Sequence, residues 1–349
     1  MIAAIDLGLI YGLVALGVYL TFRILDFPDL TVDGSFTSGA AVTAAGIVAG
    51  APPLLALLLG GIVGMLAGLV TGLLHTWGGI NPLLAGILCQ IALYSINLRI
   101  MGKANLPLLR VDTLLSGMRD ARLFGTWVSV AIFAVAVLGV KFLLDWFLAT
   151  DLGLAMQATG DNADMIRSFG VNTDFQKVLG LSLSNGLVAI CGGLMAQYQG
   201  YADIGMGIGL IVAGLASVII GQALFGSRTI MVSTLAVIVG SVLYRLVIQL
   251  ALTVGLNPND MKLISAVLVI IALLLPKWGV LRRFRAARRE RVLSGPAVYP
   301  HDFHPPGQPA AGSPPEPVDV PDALSTSPRD EPSIPELADG ASRPSQSKE

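Results

Sequence analysis

Leu54-Leu-Ala-Leu-Leu-Leu-Gly-Gly-Ile-Val-Gly-Met-Leu-Ala-Gly-Leu-Val-Thr-Gly-Leu-Leu-His-Thr76 contains no Asp, Glu, Lys or Arg. A helix needs about 20 mostly apolar residues to cross the hydrocarbon layer of a bilayer, and this stretch is that long. Within it, Gly60, Gly64, Gly68 and Gly72 recur at every fourth position. That spacing puts them on one face of a helix, a smooth stripe on which a second backbone can approach closely. Lipid tails supply no hydrophobic drive between helices, so such close van der Waals contact takes its place. The stripe suits packing inside a bundle or a subunit interface, and bundle packing is the simpler reading. Gly8 and Gly12 repeat the signal more weakly.

The rest of the chain follows the same pattern. Of its 349 residues 54% are hydrophobic and 13% charged, with a mean hydropathy of +0.74, whereas soluble domains carry about 25% charge. Apolar stretches divided by prolines, charges and polar turns lie near 2–22, 36–51, 54–76, 83–98, 123–144, 178–198, 208–225, 230–252 and 256–275. The sequence therefore predicts an all-α polytopic bundle of about nine membrane helices, within a range of about eight to ten. The second and seventh stretches are short and the segment 28–39 is polar, which suits broken or re-entrant helices covered by protein or a water-filled cavity. No Lys or Arg precedes Arg23 and Asp6 is acidic, so the first stretch reads as a retained span and not as a signal peptide.

Three regions follow from composition: a transmembrane domain over 1–276, a basic segment over 277–293 and a tail over 294–349. The basic cluster Lys277, Arg282, Arg283, Arg285, Arg288, Arg289 and Arg291 follows the last apolar run, and the positive-inside rule places it in the cytoplasm. Counting back through nine spans puts the amino terminus outside, the 150–176 loop inside and the 101–122 loop outside. The tail holds most of the chain's 20 prolines along with scattered acidic residues and few groups to bury, the composition of a disordered cytoplasmic appendage. A net charge of −1 points to no nucleic acid or acidic partner.

The sequence shows no enzyme constellation: it has no HExxH, no GxSxG and no P-loop. Two of the three histidines lie in the tail, and His75 reads as an interfacial anchor. Cys89 and Cys191 sit apart in apolar runs and read as packing residues, so neither a metal nor another cofactor is expected. Carboxylates within the spans are almost confined to Asp6 and Asp145, which argues against an ion-coupled secondary transporter or channel.

Polar side chains inside apolar spans are costly unless they face an interior or a cavity. Gln90, Tyr94, Asn97, Asn185, Gln197, Gln222, Arg245 and Gln249 are of this kind, and several of them must simply join helices by hydrogen bonds. Gln90 and Asn185 are the best pathway residues, because Gly86 and Gly186 leave room beside them. Asp29 and Asp33 suit a helix cap or the lining of a gate, and a cap is the simpler role.

The segment Gln157-Ala-Thr-Gly-Asp-Asn-Ala-Asp-Met-Ile-Arg-Ser-Phe-Gly170 reads as a short helix between spans. Asp161 suits its amino-terminal cap, Asp164 its first turn and Gly170 a left-handed stop. Met165, Ile166 and Phe169 then share a face. A helix this short is marginal in water and needs a surface to lie against, either the bundle or a partner protein.

Taken together, Asp29-Leu-Thr-Val-Asp-Gly-Ser35, Leu152-Gly-Leu-Ala-Met-Gln-Ala-Thr-Gly-Asp-Asn162, Ser168-Phe-Gly-Val-Asn172, Leu183-Ser-Asn-Gly186, Met206-Gly-Ile-Gly209 and Ala216-Ser-Val-Ile-Ile-Gly221 resemble permeases of bacterial ABC importers of the branched-chain amino acid and ribose type. The likeness is nearest to the subgroup associated with tryptophan and other aromatic amino acids and spans nearly all of 1–276. It implies a membrane subunit that moves a small solute, such as an amino acid, inward by alternating access, with ATP hydrolysed on separate ATPase subunits. It also implies two copies of the bundle, an extracytoplasmic solute-binding protein and residence in the cell membrane. Carried over, Gly160, Asp161, Asn162, Ala163, Asp164, Met165, Ile166, Arg167, Ser168, Phe169 and Gly170 form the ATPase-coupling segment, with Arg167 as a polar contact. Arg110, Arg119 and Arg122 in the external loop become a docking surface for the binding protein by charge, with a solvated connector as the alternative.

Overall fold

The computed structural model describes residues 1–109, 111–226 and 229–254, together with 263, 265–267, 269 and 270. The chain is mostly helical. Helix α1, Ile2–Tyr19, runs on into a π-helical turn, Leu20–Ile24, and is followed by α2, Thr31–Val48, α3, Pro53–Thr76, and α4, Pro82–Met101. After β1, Asn105–Pro107, come α5, Ser116–Asp120, α6, Trp127–Leu148, α7, Asp151–Asp161, and α8, Ala163–Ser168. The series closes with α9, Thr173–Gln199, β2, Tyr201–Asp203, α10, Leu210–Phe225, and α11, Ile230–Thr253.

Among the described residues, 6 helices are long and apolar enough to cross a membrane: α1 with its π-turn, α3, α4, α6, α9 and α11. The second and seventh expected stretches are the shorter helices α2 and α10. At a rise of about 1.5 Å per residue, α10 is about 24 Å long, less than the hydrocarbon thickness of about 30 Å. The expected ninth span, 256–275, lies almost wholly outside the described residues, as do the basic segment and the tail.

Local chemistry sets the helix ends. Pro53 and Pro82 occupy first-turn positions, where a missing N–H costs nothing, and Asn81 caps α4 by accepting from the Leu83 N–H at 3.0 Å. Gly102 and Gly200 end α4 and α9 in the left-handed conformation, with φ of 67° and 80°. Just beyond these ends, β1 and β2 pair antiparallel in the register Asn105↔Asp203, Leu106↔Ala202 and Pro107↔Tyr201. This pair departs from a purely helical reading. It gives hydrogen-bond partners to backbone that has left α4 and α9 on one side of the bundle.

The sequence starts the fifth stretch at Leu123 and stops it at Leu144, whereas α6 runs from Trp127 to Leu148. Arg122 and Gly125 have φ of 53° and 72°, which breaks the helical path between α5 and Thr126. At the other end the charges do not break the helix, because Lys141 and Asp145 are buried together at 2.5 Å and Asp145 also accepts from the Thr234 hydroxyl of α11 at 2.7 Å.

The glycine row of α3 lies on α9 and α2. Gly64, Gly68 and Gly72 face Asn185 and Ala189, Leu181 and Ser182, and Val178 of α9, while Gly60 meets Gly39 and Thr43 of α2. A methyl group at Gly68 would overlap the Leu181 carbonyl, so the two backbones touch with no side chain between them. Gly8 of α1 packs in the same way on Val242 of α11. The largest apolar cluster joins α1, α6 and α9 around Leu16, Leu20, Phe133, Leu181 and Val188. Cys89 and Cys191 are free and buried.

Candidate functional site

The 151–170 region forms two helices and not one. Asp161 closes α7, and the cap of α8 is Asn162, whose side chain accepts from the Met165 N–H at 2.9 Å. This corrects the expectation that Asp161 caps the segment: both residue types make good caps, and the extended Asn162, with φ of −159° and ψ of 94°, is where the helical path restarts. Asp164 lies in the first turn of α8, and Gly170, with φ of 87°, follows its end.

Phe169 is 75% exposed and Met165 52% exposed, while Ile166 is half-buried. Arg167 folds back on the start of α9, donating to the Thr173 hydroxyl at 2.8 Å and pairing with Asp174 at 3.3 Å. Met165 and Phe169 are thus left outward, and the cation of the segment is turned toward its own chain.

Gly160 lies directly against the backbone of Ile24 and Leu25, and Gly180 of α9 against Leu25 and Met156. The segment is in this way seated on the π-helical end of α1. Beside it is a polar cavity of about 570 Å³ between Arg23, Gln157, Asp161, Gln222 and Thr229.

A knot of buried polar groups lies deeper in the bundle. Asn185 of α9 is 0% exposed, donates to Asp29 Oδ2 at 2.6 Å and to the Leu181 carbonyl at 2.9 Å, and accepts from the Ser35 hydroxyl at 2.6 Å. Asp29 Oδ1 accepts from the Thr31 N–H, the first of α2, at 2.9 Å from just before the cap position Leu30. The glycines themselves leave no gap: Gly186 packs on Met65, and Gly86 on the backbone of Leu30.

Asp33, one turn further along, caps a different helix. Its Oδ2 accepts from the Gly209 N–H at 2.8 Å and its Oδ1 from the Ile211 N–H at 2.9 Å, so it closes the start of α10 from α2. The amino-terminal ends of two short helices therefore meet at one carboxylate in the interior.

A cavity of about 480 Å³ opens beside that junction, between α2, α4 and the turn before α10. Asp33, Thr37, Gln90, Tyr94, Ser95 and Asn97 line it, with Ile91, Ile204 and Ile208 as apolar wall. Of the two expected pathway residues, Gln90 lines this cavity, while Asn185 is held in the polar knot. Asn97 looked like one polar residue among eight in the sequence. Its burial and place in the wall distinguish it.

In the opposite loop, Arg119 is half-buried and donates to the Gln197 carbonyl at 3.2 Å, which ties α5 to the end of α9. The Gln197 side chain accepts in turn from the Leu114 N–H at 2.9 Å. Arg122 is exposed, and Arg110 lies outside the described residues. Arg245 of α11 stacks over the Tyr11 ring at 3.6 Å, a cation held by an aromatic face.

A family model described as "Branched-chain amino acid transport system / permease component" matches residues 1–274. The chain is 45% identical over 271 residues to the "Tyrosine transport system permease protein" of Clostridioides difficile (strain R20291), covering 77% of this chain and 89% of that protein. It is 35% identical over 277 residues to an uncharacterized protein of Rickettsia prowazekii (strain Madrid E), covering 78% and 96%. To an "Autoinducer 2 import system permease protein LsrC" of Yersinia pseudotuberculosis it is 30% identical over 213 residues, covering 58% and 57%.

Proposed function

We propose, from the premise that this chain belongs to the branched-chain amino acid transport permease family and is the multi-pass membrane subunit of an ATP-binding-cassette importer, that its cargo is an amino acid with an aromatic side chain. The observation that carries this reading is the 45% identity to a tyrosine transport permease over 89% of that protein's length. Supporting it is a cavity whose wall mixes the Tyr94 ring and isoleucines with a carboxylate and amides, surroundings suited to a solute with one apolar and one polar end.

In this proposal the solute passes by alternating access along the α2–α4–α10 cavity, with Gln90 in its wall. The ATPase subunit engages the segment Gly160–Gly170 chiefly through Phe169 and Met165. Closure of the ATPase pair then reaches the bundle where Gly160 rests on the π-helical end of α1 and where Arg167 grips α9. A second copy of the chain completes the transporter. A solute-binding protein docks on the opposite face near Arg110, Arg119 and Arg122, of which Arg122 offers the free charge and Arg119 holds the loop in shape. The amino terminus is extracytoplasmic, and the basic segment and tail are cytoplasmic.

The test is extraction of the tagged chain from its native membrane in mild detergent, with the accompanying proteins identified by mass spectrometry. A stoichiometric P-loop ATPase, lost when Phe169 is replaced, supports both the assembly and its coupling face. A chain that purifies alone and moves solute in vesicles without ATP overturns the proposal in favour of a secondary transporter.

A further inference from the structure

Among the described residues, the cavity beside α10 holds a carboxylate with no cationic side chain to pair with and an unused acceptor. Asn97 is 1% exposed, and its amide nitrogen donates to the Gly34 carbonyl at 3.4 Å. Its Oδ1 is sealed from solvent and has no hydrogen-bond partner among the described residues. A buried carbonyl oxygen without a donor is uncommon in folded proteins and points to a missing partner.

Among the described residues, the one carboxylate in the cavity wall is Asp33, 8% exposed. It accepts one backbone N–H on each oxygen, and a carboxylate offers about four lone-pair sites, so each oxygen retains capacity. The two helix starts near Asp33 offer it partial positive charge but no full cation. Among the described residues the ion pairs are Lys141–Asp145 and Arg167–Asp174, so neither Asp29 nor Asp33 has a cationic side chain within pairing distance. An isolated charge in such surroundings is costly unless an opposite charge reaches it.

We propose that this cavity is a recognition site for the protonated amino group of the solute. The ammonium donates to Asp33 and, once a small turn of the Asn97 side chain exposes the sealed oxygen, to Asn97 Oδ1, and the remainder of the molecule lies against Tyr94, Ile91 and Ile208. Ammonium carries three donors and no acceptor, which matches a wall offering an orphaned carbonyl and a carboxylate with spare lone pairs. The inference rests on the reading of the cargo as an amino acid and adds which end of it the membrane subunit reads.

The experiment uses the permease co-purified with its ATPase subunit, in lipid nanodiscs and without a solute-binding protein, so that only sites on the complex are sampled. Three probes are titrated and followed by saturation-transfer NMR: L-tyrosine, tyramine, which keeps the ammonium and lacks the carboxylate, and 3-(4-hydroxyphenyl)propionate, which lacks the ammonium. L-Tyrosine and tyramine are expected to bind, with the desamino acid at least about tenfold weaker, the effect of losing the charge-assisted hydrogen bonds of the ammonium. Asn97→Leu should reduce binding of the two amines by a similar factor and leave that of the desamino acid unchanged.

Equal binding of all three probes, or no binding of either amine, overturns the proposal. Should Asn97→Leu not fold, the contrast among the three probes on the unmodified complex decides alone. Binding of all three that requires sodium or potassium would make an inorganic cation the occupant, and it also overturns the proposal. ATP-driven uptake of L-tyrosine by the full transporter with its binding protein is measured separately. Uptake without the contrast among probes removes only this inference. Amine binding without amino-acid uptake removes the cargo reading and leaves the ammonium site standing.

Discussion

The Asn185 amide donates to the Asp29 carboxylate at 2.6 Å across 156 positions of sequence, and the same side chain accepts from Ser35 at 2.6 Å. One residue of α9 thereby holds both the approach to α2 and its first turn. Asn185→Leu keeps the volume and leaves Asp29 and Ser35 short of a partner. Each buried polar group left unsatisfied costs about 1–3 kcal/mol, so a loss of about 2 kcal/mol or more is expected. A lowered unfolding temperature of the detergent-solubilised protein checks it, and an unchanged one would mean that water takes over the bonds.

Gly68→Leu should abolish recovery of folded protein, because the new side chain would have to enter the α9 backbone at Leu181. Gly139→Ala on α6 is the control, since nothing lies within 4 Å of the added methyl group. It should be neutral or stabilise by up to about 1 kcal/mol, the difference in helix propensity. Size-exclusion profiles of the two variants separate the outcomes.

Lys141 and Asp145 form a buried pair on α6, and removal of one partner strands the other. Lys141→Met and Asp145→Leu should each destabilise by about 3–5 kcal/mol, whereas the double variant should recover most of that loss. A double-mutant cycle on thermal unfolding measures the recovery. Additive losses would show that the pair acts as two independent residues.

Phe169→Ala should leave the unfolding temperature unchanged, because the ring is already 75% exposed. It should weaken association with the ATPase subunit by about 2 kcal/mol, roughly thirtyfold, if the ring fills a pocket on that partner. Asn162→Ala should weaken association less, by loosening α8 through loss of a cap worth about 1 kcal/mol. Co-purification and binding titration with the ATPase subunit check both, and equal retention by Phe169→Ala would displace the coupling face elsewhere.

The positions of the long spans were legible because a membrane helix must be apolar over its own length, and that requirement leaves a local trace. Its glycine face was legible for the same reason: the period of four along α3 exists in the sequence before any partner is known. Capping and stop residues marked a short helix between the spans, but its cap was misassigned. Asp161 and Asn162 are chemically near-equivalent caps, and the choice depends on where α7 ends.

The interior site was much less legible. Gln90, Asn97 and Asn185 are three amides in apolar helices, and nothing local separates a staple from a wall residue. Asn185 became a staple because Asp29 and Ser35 reach it, and Asn97 became a wall residue because α4 sets it at the cavity, where its Oδ1 finds no partner among the described residues. The short lengths of α2 and α10 hinted at broken helices without saying that Asp33 of one would close the start of the other.

The sequence by itself determined the membrane as solvent, the placing of most helices and the face of α3 that packs closely, because these depend on hydrophobicity and period along one segment. Only the tertiary structure decided which polar groups satisfy each other and which find no partner among the described residues. Hydrogen-bond partners meet through space, across separations such as the 156 residues from Asp29 to Asn185. A buried group's role is set by the donors and acceptors around it, and not by its own identity.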